Sequence, residues 1–577
     1  MPDASTLLLQ RLQAAFDTIA AGADPVLRPS DRADFQSNGA MALAKQVGQS
    51  PRAIADQVVA VAQLDDICAE VEVSGPGFIN LTLADDFIAT RAVELARDRR
   101  LGVVETAQSE TIIVDYSGPN VAKEMHVGHL RSTIIGDALV RVLGFVGHRV
   151  IRENHIGDWG TPFGMLIEQL LDTGVAADAD QFSVRDLNLF YADARARFDT
   201  DETFAERCRH RVVLLQAGDP ETLHLWRVLV AESLRHCDEV YQLLGVLLTD
   251  ADVVGESFYN PELPVVVDEL AAQGLLVEND GALCVFPEGF TNREGDPLPL
   301  IVRKSDEGYG YPATDLACVR DRTERLGADR ILYVVAAEQT LHFKMVFAVS
   351  ALAGYLANLD QAVHVSFGFV LGADGKKLAS RSGESERLID LLTEGVRRAQ
   401  AKVEEKAEER PSDLTPAQQA VVARQLGIGA IKYADLSNDR IRDYVFDWDR
   451  MLASDGDTGP YLQYAHARIR SIFRRAGTPA PPPGTAISVA EPAERALALA
   501  LLGFNDAVAA TVEAFSPAKL CTYLFDLAQI FSGFYDTLKV LVDDEATRAS
   551  RLALCDLTAR VLAQGLDLLG MEAPEQM

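Results

Sequence analysis

The sequence predicts an α/β protein: a Rossmann-like parallel-sheet domain, with an N-terminal α+β domain before it and a C-terminal all-α bundle after it. Three observations support this. Thr111-Ile112-Ile113-Val114-Asp115-Tyr116 reads as a buried strand, a helix pattern runs from about His129 to Leu143, and Arg149-Val150-Ile151-Arg152 reads as a second strand. Strand, helix and strand within ~40 residues make a parallel βαβ unit. Further apolar strand runs at 331–335 and 363–367 supply the other half of a doubly wound sheet. From about Leu388 onward the pattern is helical almost throughout.

A chain of 577 residues exceeds one core and divides. Residues 1 to about 108 mix helical stretches with strand-like runs at 71–73 and 78–83, joined by the turn signal Ser74-Gly75-Pro76-Gly77. About 109–390 is the sheet domain, with about 172–300 inserted between its halves. About 391–450 is a helical connector whose charge-rich stretch 401–410 is a solvated face. The bundle occupies about 451–577, and Pro479-Ala480-Pro481-Pro482-Pro483-Gly484 is a loop between its helices.

Composition narrows the functional classes. With 48% hydrophobic and 24% charged residues the chain reads as an ordinary globular protein. No apolar stretch approaches the ~20 residues a bilayer span needs, so no membrane partner is expected. Leu7, Leu8, Leu12 and Phe16 are spaced as on a helix, with no signal-peptide pattern, and a cytoplasmic address is the expectation. Seven scattered cysteines with no Cys-x-x-Cys pair argue against a zinc site or a disulfide framework, and no metal site is expected. The formal charge of −31 means that any nucleic-acid contact depends on local basic patches and weakens steeply with salt.

The strongest chemical signal follows the first strand: Ser117-Gly118-Pro119-Asn120-Val121-Ala122-Lys123-Glu124-Met125-His126-Val127-Gly128-His129. Two histidines three apart at a helix start share one face, and Gly128 admits a ligand close to the backbone. Helix N-termini attract anions, so nucleotide phosphates belong here, and imidazole N–H groups can stabilise charge developing at an ATP α-phosphate. A capping loop with incidental histidines, or a metal-binding pair, are the other readings.

The string His126-Val127-Gly128-His129 resembles the first signature of the class I aminoacyl-tRNA synthetases. Together with Asn120, Ala122 and Lys123 ahead of it, Leu130-Arg131-Ser132-Thr133 after it, and His155-Ile156-Gly157-Asp158-Trp159-Gly160, it resembles the arginine enzymes specifically. The resemblance implies that the sheet domain is catalytic, that ATP enters with Mg2+ as a substrate complex without a tightly bound cofactor, and that L-arginine and tRNA(Arg) are the partners of a monomer. The second class I signature has its best match at Lys377-Leu378-Ala379-Ser380-Arg381, where Ser380 replaces the second lysine. An ammonium must still reach the phosphates. The resemblance assigns that role to Lys123, with Lys377 and Arg381 assisting.

By the same resemblance, catalysis falls to Lys123, His126, His129, Lys377 and Arg381, and ATP binding to His126, Gly128, His129, His342, Lys377 and Ser380. Arginine's guanidinium is a planar, permanently charged fork that needs carboxylates and acceptors. Asp115, Asn120, His126, Tyr311, Asp315 and Gln339 are the implied arginine site, although Asp115 could merely finish a strand and Tyr311 and Asp315 could be a surface pair. For tRNA, Phe35 and Asn38 match the region that meets the elbow. Tyr461, Tyr464, Arg468, Arg470 and Arg474 interleave aromatic faces with cations, as single-stranded RNA requires. Two rivals remain at this stage. A small-molecule nucleotidyltransferase would not need the helical bundle, and a non-catalytic tRNA-binding paralogue would not need Lys123 and both histidines.

Overall fold

The computed structural model describes residues 4–121, 123–174, 184–378, 387–409 and 414–577. Ser380 and Arg381 lie outside the described residues.

Near the N-terminus, β1 (Leu27–Pro29), β2 (Phe35–Ser37), β3 (Cys68–Ser74) and β4 (Phe78–Leu83) form an antiparallel sheet in the order β1-β2-β4-β3. Ile79, Leu81 and Leu83 alternate inward against the helix Pro51–Val61, the period-2 pattern of a sheet with one buried face.

The central sheet is built from β5 (Thr111–Asp115), β6 (Arg149–Ile156), β7 (Val253–Gly255), β11 (Arg330–Tyr333) and β12 (Ala362–His364). All neighbours are parallel, in the order β12-β11-β5-β6-β7. The chain moves outward from β5 to β7, then returns to the other side of β5. That reversal opens a crevice beyond the carboxyl ends of β5 and β11, where Asp115 and Tyr333 are paired in register. The apolar, β-branched run Ile112-Ile113-Val114 is fully buried, as a central parallel strand must be. The helix Val127–Phe145 is buried on most of its surface, because it packs between the sheet and the helices of the C-terminal half.

The segment expected as one insert at about 172–300 is not wholly separate, since β7 returns to the sheet beside β6. Three residues are too few to carry a periodic signal. Before β7 come the helices Val184–Thr200, Glu202–Gln216 and Pro220–Leu244. After it, β8 (Val277–Asn279), β9 (Ala282–Val285) and β10 (Leu300–Arg303) form a small antiparallel sheet.

In the C-terminal half, the helices Leu388–Glu409 and Pro416–Leu436 pack on one another and on the helix Val127–Phe145. One short strand interrupts the helices: β14 (Tyr444–Val445) pairs with β13 (Val370–Leu371). Five longer helices from Gly459–Ala476 to Glu545–Leu568 complete the all-α region.

Candidate active site

The loop leaving β5 is held in a costly shape. Ser117 takes a φ of 74°, which a non-glycine residue rarely adopts, and Gly118 follows with 56°. Ser132 Oγ accepts from the Ser117 N–H at 2.9 Å and donates to the Val334 carbonyl at 2.6 Å. Ser117 Oγ lies 2.7 Å from Tyr241 Oη, and Asn154 Oδ1 accepts from the Gly118 N–H at 3.0 Å. The neighbouring loop runs alongside: Gly157 donates its N–H to the Pro119 carbonyl, and the Gly157 carbonyl accepts from the Val121 N–H. A Cβ on Gly157 would stand 2.5 Å from Asn120 Oδ1, so the glycine lets the Asn120 side chain lie against this loop.

The two histidines cap their own helix. His126 Nδ1 accepts from the Gly128 N–H at 3.0 Å, and His129 Nδ1 accepts from the His126 N–H at 3.1 Å. A ring nitrogen that accepts carries no proton, so in each neutral ring Nε2 bears the hydrogen. Burial, helped by the Lys123 charge, pushes the His126 pKa down. Burial and the neighbouring His126 push His129 down to about 3. The pair, 4.1 Å between ring centroids, is therefore neutral at physiological pH and offers two Nε2–H donors without adding a cation. Capping and donor chemistry coincide in the same residues. A Cβ on Gly128 would stand 2.8 Å from His126 Nδ1, which accounts for the glycine between them.

Two cavities meet at Glu338. The larger, about 1120 Å³, is lined by Asn120, Lys123, Trp159, Glu256, Tyr311 and His342 among others. The smaller, about 280 Å³, is lined by His126, Gly128, Arg131, Phe369 and Lys377 among others. Glu338 belongs to both, and its Oε1 accepts from Lys377 Nζ at 2.8 Å across the boundary. Lys377 also lies 3.8 Å from the Phe369 ring centroid.

The larger cavity carries both signs of charge, Glu256, Glu307 and Glu338 against Lys123 and Lys304. Glu256 lines it, and burial together with the charges of Asp158 and Asp315 raises its pKa to about 7. Asp315 stands behind the lining with Oδ2 2.5 Å from His342 Nε2. Asp158 is fixed by the N–H and hydroxyl of Ser257 at 2.9 and 2.6 Å. Glu256 is the residue that sequence reasoning missed. The only hint was its place in Gly255-Glu256-Ser257, directly after a short apolar run.

The candidate residues are thus distributed unevenly. Asn120, Lys123, Tyr311 and His342 line the larger cavity, and His126, Gly128 and Lys377 the smaller one. His342, expected at the nucleotide, sits on the Asp315 side. Gln339 is exposed at the end of the turn Ala337–Gln339 and lines neither cavity. Asp115 is not among the residues that line the larger cavity, and its carboxylate holds an internal arginine. Arg322, fully buried on the helix Tyr311–Glu324, donates Nη2 to Asp115 at 2.7 Å and Nε to Glu153 at 2.6 Å. Two buried carboxylates on neighbouring strands need a counter-charge, and the protein supplies its own. Arg131, also fully buried, plays a comparable part between the histidine helix and the connector, meeting Asp435 at 3.1 Å.

Among the tRNA candidates, Phe35 is half-buried against the core and Asn38 sits at the N-terminus of the helix Gly39–Val47. On the helix Gly459–Ala476, Tyr464 is exposed while Tyr461 packs on Phe525. The arginines are engaged: Arg468 with Asp536 at 3.3 Å, Arg470 with Glu575 at 2.7 Å, and Arg474 with the Glu575 carbonyl at 2.7 Å.

A parallel sheet with a switch-point crevice and a paired-histidine helix start fit the catalytic core of a class I aminoacyl-tRNA synthetase. The family model described as "tRNA synthetases class I (R), catalytic domain" matches residues 92–448. The DALR anticodon binding domain matches 462–577, and the arginyl tRNA synthetase N terminal domain matches 4–83. Arginine–tRNA ligase from Thermobifida fusca is 56% identical over 100% of both chains, and that from Laribacter hongkongensis is 48% identical over 99% of both. Arginyl-tRNA synthetase from Plasmodium falciparum superposes with a TM-score of 0.83 at 30% identity, over 99% of this chain and 98% of that one. The Thermus thermophilus enzyme gives 0.82 at 27%, over 99% and 100%. The chain belongs to the arginyl-tRNA synthetase family, ATP-dependent ligases of class I.

Proposed function

We propose that this chain charges tRNA(Arg) by placing the arginine side chain beside Glu256 in the larger cavity and ATP in the cleft at the histidine helix, with the reacting groups meeting near Glu338. The observation that carries this reading is the junction itself: a cavity lined by the buried carboxyl of Glu256 and a cleft lined by His126 share a wall at Glu338. Glu256 takes the guanidinium, with Asp315 and His342 behind it, while Asn120 and Tyr311 shape the cavity. Asp115 acts one layer back by fixing Arg322 and hence the helix that carries Tyr311 and Asp315.

In the first step a carboxylate oxygen of arginine attacks the ATP α-phosphorus, the bond to the bridging oxygen breaks, and pyrophosphate leaves. In the second, a ribose hydroxyl of the terminal tRNA adenosine attacks the adenylate carbonyl and AMP leaves. No protein nucleophile is required; positioning and charge stabilisation do the work. The Nε2–H groups of His126 and His129 donate to the α-phosphate as its charge grows, and Lys123 and Lys377 supply the positive charge. Mg2+ enters with ATP as part of the substrate. One chain carries the cavity, the cleft and an anticodon-binding domain, which supports a monomer as the working unit, and seven free buried cysteines support a reducing cytoplasm. Phe35, Asn38 and Tyr464 are the proposed RNA contacts, with Arg468 and Arg470 exchanging their acidic partners, and Arg474 the Glu575 carbonyl, for phosphates.

A structure with a non-hydrolysable arginyl-adenylate analogue tests this. The guanidinium is expected within hydrogen-bond distance of Glu256, and the adenosine beside His126 and Gly128. A guanidinium bound away from Glu256 and Asp315 would overturn the assignment.

A further inference from the structure

The helices between β6 and β7 have no role in the chemistry described so far, yet they reach the reactive loop at several points. Val121 and Ile156 share one apolar cluster with Leu215, Leu225 and Leu229 of those helices, and Trp159, Tyr191 and Trp226 pack against it. Trp226 Nε1 donates to the Asp158 carbonyl at 2.8 Å, and the Tyr241 hydroxyl holds both Ser117 and Asn154. At the loop's cationic residue the contact is of a different kind. Lys123 Nζ lies 5.1 Å from the centroid of the Tyr191 ring, carried on the helix Val184–Thr200. An ammonium within ~6 Å of an aromatic face is attracted by the ring's quadrupole, and the attraction confines a long flexible side chain without neutralising it.

We propose that Tyr191 is a positioning residue for Lys123: its ring face restricts the ammonium to the region of the reactive loop, so that the charge is ready for the ATP phosphates. The proposal rests on the reading of Lys123 given above. A carboxylate in the same place would hold the lysine more tightly but would also cancel the charge and repel the incoming nucleotide. An aromatic face does neither. Lys123 lines the larger cavity, and its charge is felt at His126, which lines the smaller one.

The test measures arginine-dependent ATP–pyrophosphate exchange on the full chain with saturating tRNA, in Tyr191→Phe, Tyr191→Leu, Lys123→Ala and the double variant Lys123→Ala/Tyr191→Leu. Phenylalanine keeps the ring face and stays within about twofold of the parent, whereas leucine lowers kcat/KM for ATP about two- to fivefold. The KM for arginine is expected to stay unchanged. In the Lys123→Ala background, Tyr191→Leu is expected to have no further effect. Tyr191→Met carries the same comparison if the leucine variant does not fold. Equal losses from Tyr191→Leu with and without Lys123, or a matching rise in the arginine KM, would make the ring a packing residue only and overturn the proposal. A silent Tyr191→Leu beside an impaired Lys123→Ala overturns it while leaving the Lys123 reading intact. A silent Lys123→Ala removes both.

Discussion

Replacing Glu256 by glutamine separates binding from stability, because the two are expected to move in opposite directions. In the ligand-free chain the Glu256 pKa is raised from 4.5 to about 7 by burial and by the charges of Asp158 and Asp315. A carboxyl whose folded pKa is raised holds a proton that the unfolded chain has lost, so its ionisation costs stability as pH rises from 4.5 to about 7. At 1.36 kcal/mol per pKa unit, reduced by water in an open cavity, the cost is about 1–3 kcal/mol at pH 8. Glutamine removes it, so the variant is expected to resist heat better than the parent at pH 8 and to match it near pH 4.5. Arginine binding goes the other way. A charged hydrogen bond to the guanidinium is worth about 1.5–3 kcal/mol, so Glu256→Gln weakens arginine about tenfold to a hundredfold at pH 8. The same contact draws the Glu256 proton off. Arginine affinity in the parent therefore rises from about pH 5.5 to 7, by up to about tenfold per unit, and then levels. Titration calorimetry with arginine across this range reads affinity and proton release directly, without needing turnover. A flat profile in the parent, or the same slope in Glu256→Gln, would refute the placement of the guanidinium at this carboxylate.

Other outcomes follow from the same geometry. His129→Gln is expected to lower pyrophosphate exchange about 10²- to 10³-fold, the usual effect of losing one preorganised donor, and fluorescence-monitored melting should change only slightly. With His129 held down to about 3, its own titration should leave no inflection in the parent's exchange rate above pH 5. Arg322→Met leaves Asp115 and Glu153 as buried carboxylates without a counter-charge, and urea unfolding of the catalytic domain should report a loss of about 3–5 kcal/mol. Glu338→Gln breaks a solvent-exposed ion pair with Lys377 and should shift that unfolding by less than about 1 kcal/mol. With a net charge of −31, tRNA affinity measured by filter binding should fall at least about tenfold between about 50 and 200 mM salt.

What the sequence made legible was local. The buried run at 111–116, the histidine pair and the helical C-terminal half all announce themselves within a dozen residues, through β-branched periodicity, residue chemistry and 3.6-residue spacing. What it hid was long-range pairing. Asp115 looks the same in sequence whether it is free or bound to Arg322, 207 positions away. Glu256 follows a three-residue strand that no periodic pattern can reveal, and its raised pKa arises from burial in the fold, helped by Asp158 and Asp315, distant in the chain. The arginines of the helix Gly459–Ala476 read as a free basic stripe, yet Glu575 and Asp536 fold back on them. A linear pattern gives the sign of a side chain but not the partner that will meet it.

The most direct measurement is ATP–pyrophosphate exchange, with tRNA present, driven by arginine or by citrulline, which keeps the shape of the side chain and lacks its charge. If the Glu256 carboxylate selects the guanidinium, arginine supports exchange and citrulline falls short by about 10⁴-fold in kcat/KM, because that acid is left without a partner. Citrulline within tenfold of arginine would show that shape, not charge, makes the choice, and the electrostatic account of this site would fail.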